Sequence, residues 1–323
     1  MDTVENLASR TNLKKYELID MLDFTESKYY DWKRRYGQEN KDNGNVPKSH
    51  WILPEERERI IDYCEDRITK KGYRKLAYEM LDKGIVAVSA STVYNVLKEE
   101  DMIIKDKESK VSHRKKGEGY NQPESPHEQW HTDISYIKVD GQNYFLISVL
   151  DGYSRYILSH DLRVSMGTKD VENVVQKAVE KFEPDDVQLI SDNGTQYVSN
   201  QFRTYVNEIS DTEILNGELD HVTTSVNYPQ SNGKIERFHR TIKEESVRRD
   251  SYVSLEDARE RIAEYIEYYN TERLHASLDY LTPEDKLYGR EEQRKQERDK
   301  KLEKAKELRK NIWKNEKRNY EHA

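Results

Sequence analysis

The 323-residue chain reads as an α/β protein in which all-α units precede a mixed five-stranded sheet packed with helices. Three observations carry that expectation. Residues 13–99 hold helix-periodic segments. Residues 130–162 hold three strand-like runs separated by turn residues. From residue 168 onward helical and strand patterns alternate. Three antiparallel strands followed by helix, strand, helix, strand and helix make a mixed sheet rather than a purely parallel one.

In chain order, Leu13 to Leu22 reads as a short amphipathic helix. Asp23-Phe24-Thr25 is a turn, and Thr25 is placed to N-cap a second helix over Glu26 to Tyr36. That helix carries Lys28, Lys33, Arg34 and Arg35, and helix, tight turn, basic helix is the outline of a helix-turn-helix. The polar stretch NKDNGNVPK (40–48) reads as a linker. A second helical unit follows. Pro54 to Arg67 has proline in its first turn, Tyr73 to Lys83 ends at Gly84, and Thr92 to Glu99 is capped by Ser89 or Ser91. Its last helix is the candidate DNA reader, with Ser91, Thr92, Tyr94 and Asn95 as groove-facing candidates, and Met102 to Lys107 as a short wing.

A basic connector with Gly and Pro spans Lys105 to Pro126, and the pattern then changes. Trp130 to Val139, Tyr144 to Asp151 and Tyr156 to Leu162 are strand-like, with Asp140-Gly141 as a hairpin turn between the first two. Thr168 to Phe182 places Val171, Val174, Val175, Ala178 and Val179 at helical spacing. Val187 to Ser191 is a buried-type strand, Ser199 to Ile209 a helix, His221 to Thr224 a short strand and Gln230 to Arg249 a long helix. Leu255 to Thr271 is a further helix. From Glu284 the chain is helix-prone and charged without a strong apolar stripe, which reads as a solvated helix or a basic arm on DNA. The expected domains are 1–40, 50–108, a linker at 109–126, an α/β core at 127–250, a helical extension at 251–289 and a charged tail at 290–323.

Composition leaves the partner open. The net charge of −8 does not favour phosphate contacts, yet Arg290 to Ala323 carries thirteen Lys or Arg against eight Asp or Glu. The one cysteine, Cys64, excludes an internal disulfide framework and a four-cysteine zinc site. No apolar signal core or membrane-length run occurs, so a cytoplasmic, nucleoid-associated protein is expected.

Three acidic residues stand out by position. Asp133 lies within the first strand (HTDIS), Asp192 just after the fourth (SDNGTQ) and Glu236 near the start of a long helix (NGKIER). A carboxylate inside a sheet is costly to bury unless it is paired or bound to metal. Another at the carboxyl end of a neighbouring strand sits where open sheets hold ligands. By position alone the alternatives stay open: Asp133 facing solvent from an edge strand, and Asp192 only capping the turn at Asn193-Gly194. On the helix of Glu236, Lys234, Arg237, Arg240 and Lys243 are candidate phosphate contacts, with Arg240 and Lys243 sharing the glutamate's face. His127 to His131 matches H-E-x-x-H, but that zinc chemistry needs a helix, and Pro126 followed at once by a strand removes it.

The blocks WHTDISY, SDNGTQY and YPQSNGKIERFHRTIKEE resemble the three signature blocks of the integrase catalytic core in bacterial insertion-sequence DDE transposases. YNTERLHASL with LTP resembles their closing block, and GYRKLAYEML with SASTVYNVLK resembles their helix-turn-helix region. The resemblance covers Trp51 to Gly289. It implies a ribonuclease-H-like fold, DNA strand cleavage and transfer, and catalytic, metal-binding roles for Asp133, Asp192 and Glu236. The implied cofactor is Mg2+, as two ions that Mn2+ can replace. The implied partners are double-stranded DNA, as terminal inverted repeats and target, and further copies of the chain. Tyr228-Pro229-Gln230 is expected in a mobile loop over the site. One departure is the 44-residue interval from Asp192 to Glu236, longer than is usual in this family. Its extra length is read as a surface loop over Ser210 to Asp220. The rival expectation is a catalytically inactive helix-turn-helix regulator derived from a transposase. A plain nuclease does not need tandem sequence readers, and one cysteine cannot build the zinc module of a retroviral integrase.

Overall fold

A computed structural model describes residues 2–22, 24–37, 51–69, 71–103, 122–211, 215, 217–224, 232–249 and 252–321. The chain divides into two compact units, Met1–Trp51 with Leu308–Ala323, and Ile52–Glu307.

The described residues at the start of the first unit form the short helices α1 (Asp2–Arg10), α2 (Lys15–Met21) and α3 (Glu26–Arg34). The sequence reading did not include α1, whose single buried residue is Val4. Its other contribution is polar. Glu5 accepts hydrogen bonds from Lys15 at 2.7 Å, Tyr29 at 2.6 Å and Lys33 at 2.8 Å. Those partners hold its carboxyl down at about 2. Thr25 occupies the N-cap position of α3 without a side-chain capping bond. The basic character of α3 is largely neutralised, because Lys33 pairs with Glu5 while Arg34 and Arg35 pair with Asp31.

The second unit begins with α4 (Pro54–Cys64), α5 (Tyr73–Asp82) and α6 (Ala90–Glu99). Ile60, Cys64, Leu76, Met80, Val93 and Leu97 close a small core between them. Cys64 is the packed hydrophobe its neighbours imply. Ser89 caps α6 by accepting from the Thr92 amide at 3.2 Å. The wing expected over Met102 to Lys107 falls mostly outside the described residues, as do residues 105–121 of the Lys105 to Pro126 connector and the loop at Tyr228-Pro229-Gln230.

The sheet contains β1 (Gln129–Val139), β2 (Gln142–Asp151), β3 (Ile157–Arg163), β4 (Val187–Ser191) and β5 (Leu219–Thr223), in the order β3-β2-β1-β4-β5. The first three strands are antiparallel, and β1–β4 and β4–β5 are parallel, which is the expected mixed plan. Asp140 and Gly141 both have positive φ, 44° and 79°, as a two-residue hairpin of matching twist requires.

Helices cover both faces. On one, α7 (Thr168–Phe182) sets Val171, Val174, Val175, Ala178 and Val179 against Trp130, Ile147, Val149 and Leu189. The short α8 (Thr195–Val198) and α9 (Asn200–Ser210) add Tyr197 and Phe202 to that core. On the other face, α10 (Gly233–Ile242) and α11 (Leu255–Thr271) bury Ile235, Phe238, Ile242, Ile262 and Ile266 against Ile137, Leu146 and Leu150. A π turn over Lys243–Val247 follows α10, a feature that recurs at functional sites.

Two expectations change. The Ser210 to Asp220 segment is not wholly a surface loop: Leu215 is buried in the main core, and Leu219 and Asp220 already belong to β5. After α12 (Pro283–Leu287) the tail forms α13 (Glu291–Glu321), whose first half is mostly solvated, as one of the two expectations had it, but docks one side on α5. Arg298 is buried, bonds both carboxylate oxygens of Asp82 at 2.8 and 2.6 Å, and lies over the Tyr78 ring. Lys301 caps the end of α5 through the carbonyls of Leu81 and Asp82 at 2.9 and 2.8 Å. An apolar stripe is unnecessary where guanidinium and ammonium groups satisfy a helix C-terminus.

Candidate active site

Side chains alternate along a strand. Ile137 and Val139 of β1 pack with α10 and α11, whereas Trp130 packs with α7. His131 and Asp133 therefore face α10. Because β1 is the central strand, Asp133 does not look out from an edge.

The parallel pairing of β1 with β4 runs Gln129 with Gln188, Trp130 with Leu189 and His131 with Ile190. Asp192 directly follows β4, beside the stretch of β1 that carries Asp133. Both carboxylates lie within electrostatic reach of one hydroxyl. The Tyr197 phenol is fully buried and 3.1 Å from Thr132 Oγ1, and its pKa is raised first by burial and then by Asp133 and Asp192.

The third carboxylate arrives on α10. Asp133 and Glu236 line one cavity of about 320 Å³ together with His239, Arg240, Lys243 and Arg248. One helical turn separates Glu236 from Arg240 and two turns separate it from Lys243, so the three share a stripe. Burial lowers the Lys243 pKa, and the nearby Asp133 opposes that shift. Lys234 and Arg237 instead line a different cavity.

Asp192 does not line the cavity of Asp133 and Glu236. It is exposed, and its Oδ1 accepts from the Gly194 amide at 2.9 Å. Turn capping is therefore part of what Asp192 does. Gly194 is confined by two side chains: a Cβ there would meet the Gln196 amide first and stand 2.9 Å from Asp192 Oδ1. Glu236 is exposed too, with no hydrogen bond or ion pair to any described residue. Among the described residues no group of three His, Cys, Asp or Glu is set to hold a metal ion. The donor type suits a hard divalent cation, which takes oxygen ligands. Asp133 is in place, and the other two carboxylates are untethered or singly tethered.

His239 is a site residue that local sequence pattern does not single out. It is buried, and its Nδ1 lies 3.2 Å from Asp133 Oδ2. The available signal was its position three residues after Glu236 on one helix. The H-E-x-x-H match is no zinc site. His127 has a φ of 68° and accepts from Trp130 Nε1 at 3.1 Å, and His131 lies in β1. On α6, Ser91 and Asn95 are exposed. Thr92 contacts the capping Ser89 at 2.9 Å, and Tyr94 packs on Tyr73 with ring centroids 5.1 Å apart.

Comparison with known proteins agrees with this architecture. Two models described as "Integrase core domain" match residues 123–210 and 218–283. A protein of Escherichia coli (strain K12) named as a transposase for insertion sequence element IS150 is 27% identical over 159 residues, 49% of this chain and 53% of its own length. The transposase for IS904 of Lactococcus lactis is 28% identical over 163 residues, 50% of this chain and 61% of its own length. The match thus spans somewhat more than half of these relatives. Among solved structures, the HTLV-2 integrase catalytic core domain in complex with magnesium aligns at TM-score 0.38 and 14% identity, over 50% of this chain and 97% of that one. The simian T-cell lymphotropic virus intasome aligns at TM-score 0.42 and 16% identity, over 71% and 74%. At those scores the fold rests on the sheet order and its covering helices rather than on the superposition. Residues 123–210 and 218–283 are therefore similar to integrase core domains, and about half of the chain is similar to bacterial insertion-sequence transposases.

Proposed function

We propose that the chain is a transposase that binds element-end DNA and catalyses metal-dependent strand cleavage and strand transfer, with Asp133, Asp192 and Glu236 as its acidic triad. The observation that carries this reading is the meeting of Asp133 and Glu236 in one cavity, with Asp192 directly after the end of the neighbouring strand β4. The three carboxylates would hold Mg2+, or Mn2+ in its place. When bound, a pair of such ions activates the attacking oxygen and stabilises the leaving oxygen of an in-line phosphoryl displacement. The protein's own residues do the rest. His239 orients Asp133 by a hydrogen bond. Arg240 and Lys243 bring positive charge to the cavity, where a DNA phosphate would lie. On α6, exposed Ser91 and Asn95 are the better base-edge candidates. Thr92 and Tyr94 serve the helix's own cap and packing as well.

Joining two element ends requires more than one active site, so a homo-oligomer on DNA is part of the proposal. The rival reading, an inactive DNA-binding regulator, draws on the position of Asp192 outside the cavity. Incubation with terminal-repeat duplex and Mg2+ or Mn2+ separates the two. Cleaved and joined products that vanish in EDTA and in Asp133→Asn support the enzyme. Specific binding of the repeat with no product under either metal supports the regulator.

A further inference from the structure

A second cavity, of about 980 Å³, opens beside α10 away from Glu236. Lys234 enters it because a two-residue step turns a helix by about 200°. Six cationic side chains line this cavity: Arg74 and Lys75 from the first turn of α5, Arg155 from the turn after β2, Lys234 and Arg237 from α10, and Arg273 from beyond α11. Among the described residues no Asp or Glu lines it, although the chain as a whole has 62 acids against 54 Lys and Arg.

Carboxylates behind the cavity offset part of this charge, Asp151 acting on Arg155 and Lys234, and Glu245 and Glu79 on Lys75, but few of them form ion pairs with it. Among the described residues only Arg273 of the six has an ion-pair partner, Glu245 at 2.6 Å. Arg155 bonds the Gly152 carbonyl and Arg74 bonds the Tyr73 hydroxyl at 3.2 Å. The Lys234 Nζ is buried without a hydrogen-bond partner among them. Arg155 reaches the cavity from a left-handed backbone, φ 67°, which its turn imposes. That turn is held by buried Asp151, whose carboxylate accepts from Ser154 N at 2.7 Å, Ser154 Oγ at 2.6 Å and His127 N at 2.8 Å. Burial, and then the Arg273 charge, push the Lys75 amine down to about 8. Gathering like charges in a half-buried place is unfavourable unless an anion fills it. Guanidinium groups suit phosphate oxygens in particular, and the first turn of α5 has no side-chain cap to occupy its amides.

We propose that this cavity is a phosphate site that clamps the backbone of a DNA strand, separate from the carboxylate cavity. The phosphate chemistry stands on the six cations, and DNA as its source rests on the transposase reading. The clamp draws on both the α4–α6 helical region and the sheet-bearing core, so DNA occupancy would tie one to the other.

The test uses the full chain in EDTA, so that no catalysis intervenes. Lys75 is acylated at pH 8, where its amine is partly neutral, with and without a random-sequence duplex or inorganic pyrophosphate, and read by mass spectrometry. The expected result is at least tenfold slower acylation with duplex, whether or not pyrophosphate also protects. Protection by pyrophosphate alone would overturn DNA as the ligand, and protection by neither would overturn the site. The Arg74→Gln/Lys75→Gln double variant, checked for an unchanged melting temperature, is expected to weaken duplex binding at least tenfold. It is also expected to flatten the log–log salt dependence by about 0.9 per cation lost. An unchanged slope in the folded variant would contradict the proposal. Asp133→Asn is the separating control: protection that persists there and in a wild-type chain without strand transfer keeps the phosphate site while the catalytic reading falls.

Discussion

His239 Nδ1 lies 3.2 Å from Asp133 Oδ2, joining the helix that brings Glu236 to the strand that brings Asp133. A group that orients a ligating carboxylate commonly sets ten- to hundredfold of metal affinity or activity. His239→Ala should therefore lower strand transfer about 10- to 100-fold and weaken Mn2+ binding in parallel. A variant that melts normally and joins DNA at the wild-type rate would remove His239 from the site.

Gly194 is expected to tolerate alanine in the fold but not in the site. Its φ of −57° is open to any residue, but a Cβ would press on Asp192 Oδ1. Gly194→Ala should leave the melting temperature within a few degrees of wild type and reduce strand transfer at least tenfold. Full activity would mean that the carboxylate position observed here has no bearing on turnover.

Two groups, buried His275 and half-buried Glu245, both lose stabilisation as pH falls through the acid range. Burial, then the Arg273 charge, push His275 down to about 3, below its ordinary 6.5. The unfolded chain therefore binds this proton first, and stability falls as pH drops from about 6.5 toward 3. Glu245 is held at about 2, against the burial that opposes it, by Arg273 and Tyr265. Its stabilisation is present above about 4.5 and is lost as pH falls toward 2. Urea midpoints between pH 7 and 3 should decline, and His275→Gln should flatten the decline above pH 4.5. A wild-type midpoint independent of pH over that range would contradict both assignments.

Arg298 anchors α13 to the end of α5. Arg298→Ala should cost about 3 kcal/mol, the low end for breaking a buried pair, because Asp82 is partly exposed. Urea denaturation reads this directly. A loss under 1 kcal/mol would show that the helix docks without the bridge.

Much of this architecture could be read from local pattern. The α7 stripe from Val171 to Val179, the Asp140-Gly141 hairpin and Pro54 at a helix start act within a few residues, where spacing and turn chemistry govern. The missed features join distant residues. Glu5 meets Lys33 across α1 and α3, and Arg298 meets Asp82 from 216 positions away. No periodicity encodes either contact. The divided face of α10 was half legible: helical geometry grouped Arg240 and Lys243 with Glu236, but nothing local showed that Lys234 turns inward to a second cavity. The position of Asp192 depends on whether its carboxylate prefers the Gly194 amide, a choice of rotamer rather than of sequence pattern.

The central claim is that Asp192 acts with Asp133 and Glu236, although it stands outside their cavity. Titration of Mn2+ into wild type, Asp133→Asn, Asp192→Asn and Glu236→Gln, followed by electron paramagnetic resonance, tests it most directly. Each substitution is expected to weaken binding at least tenfold. Wild-type affinity in Asp192→Asn would contradict a three-carboxylate site.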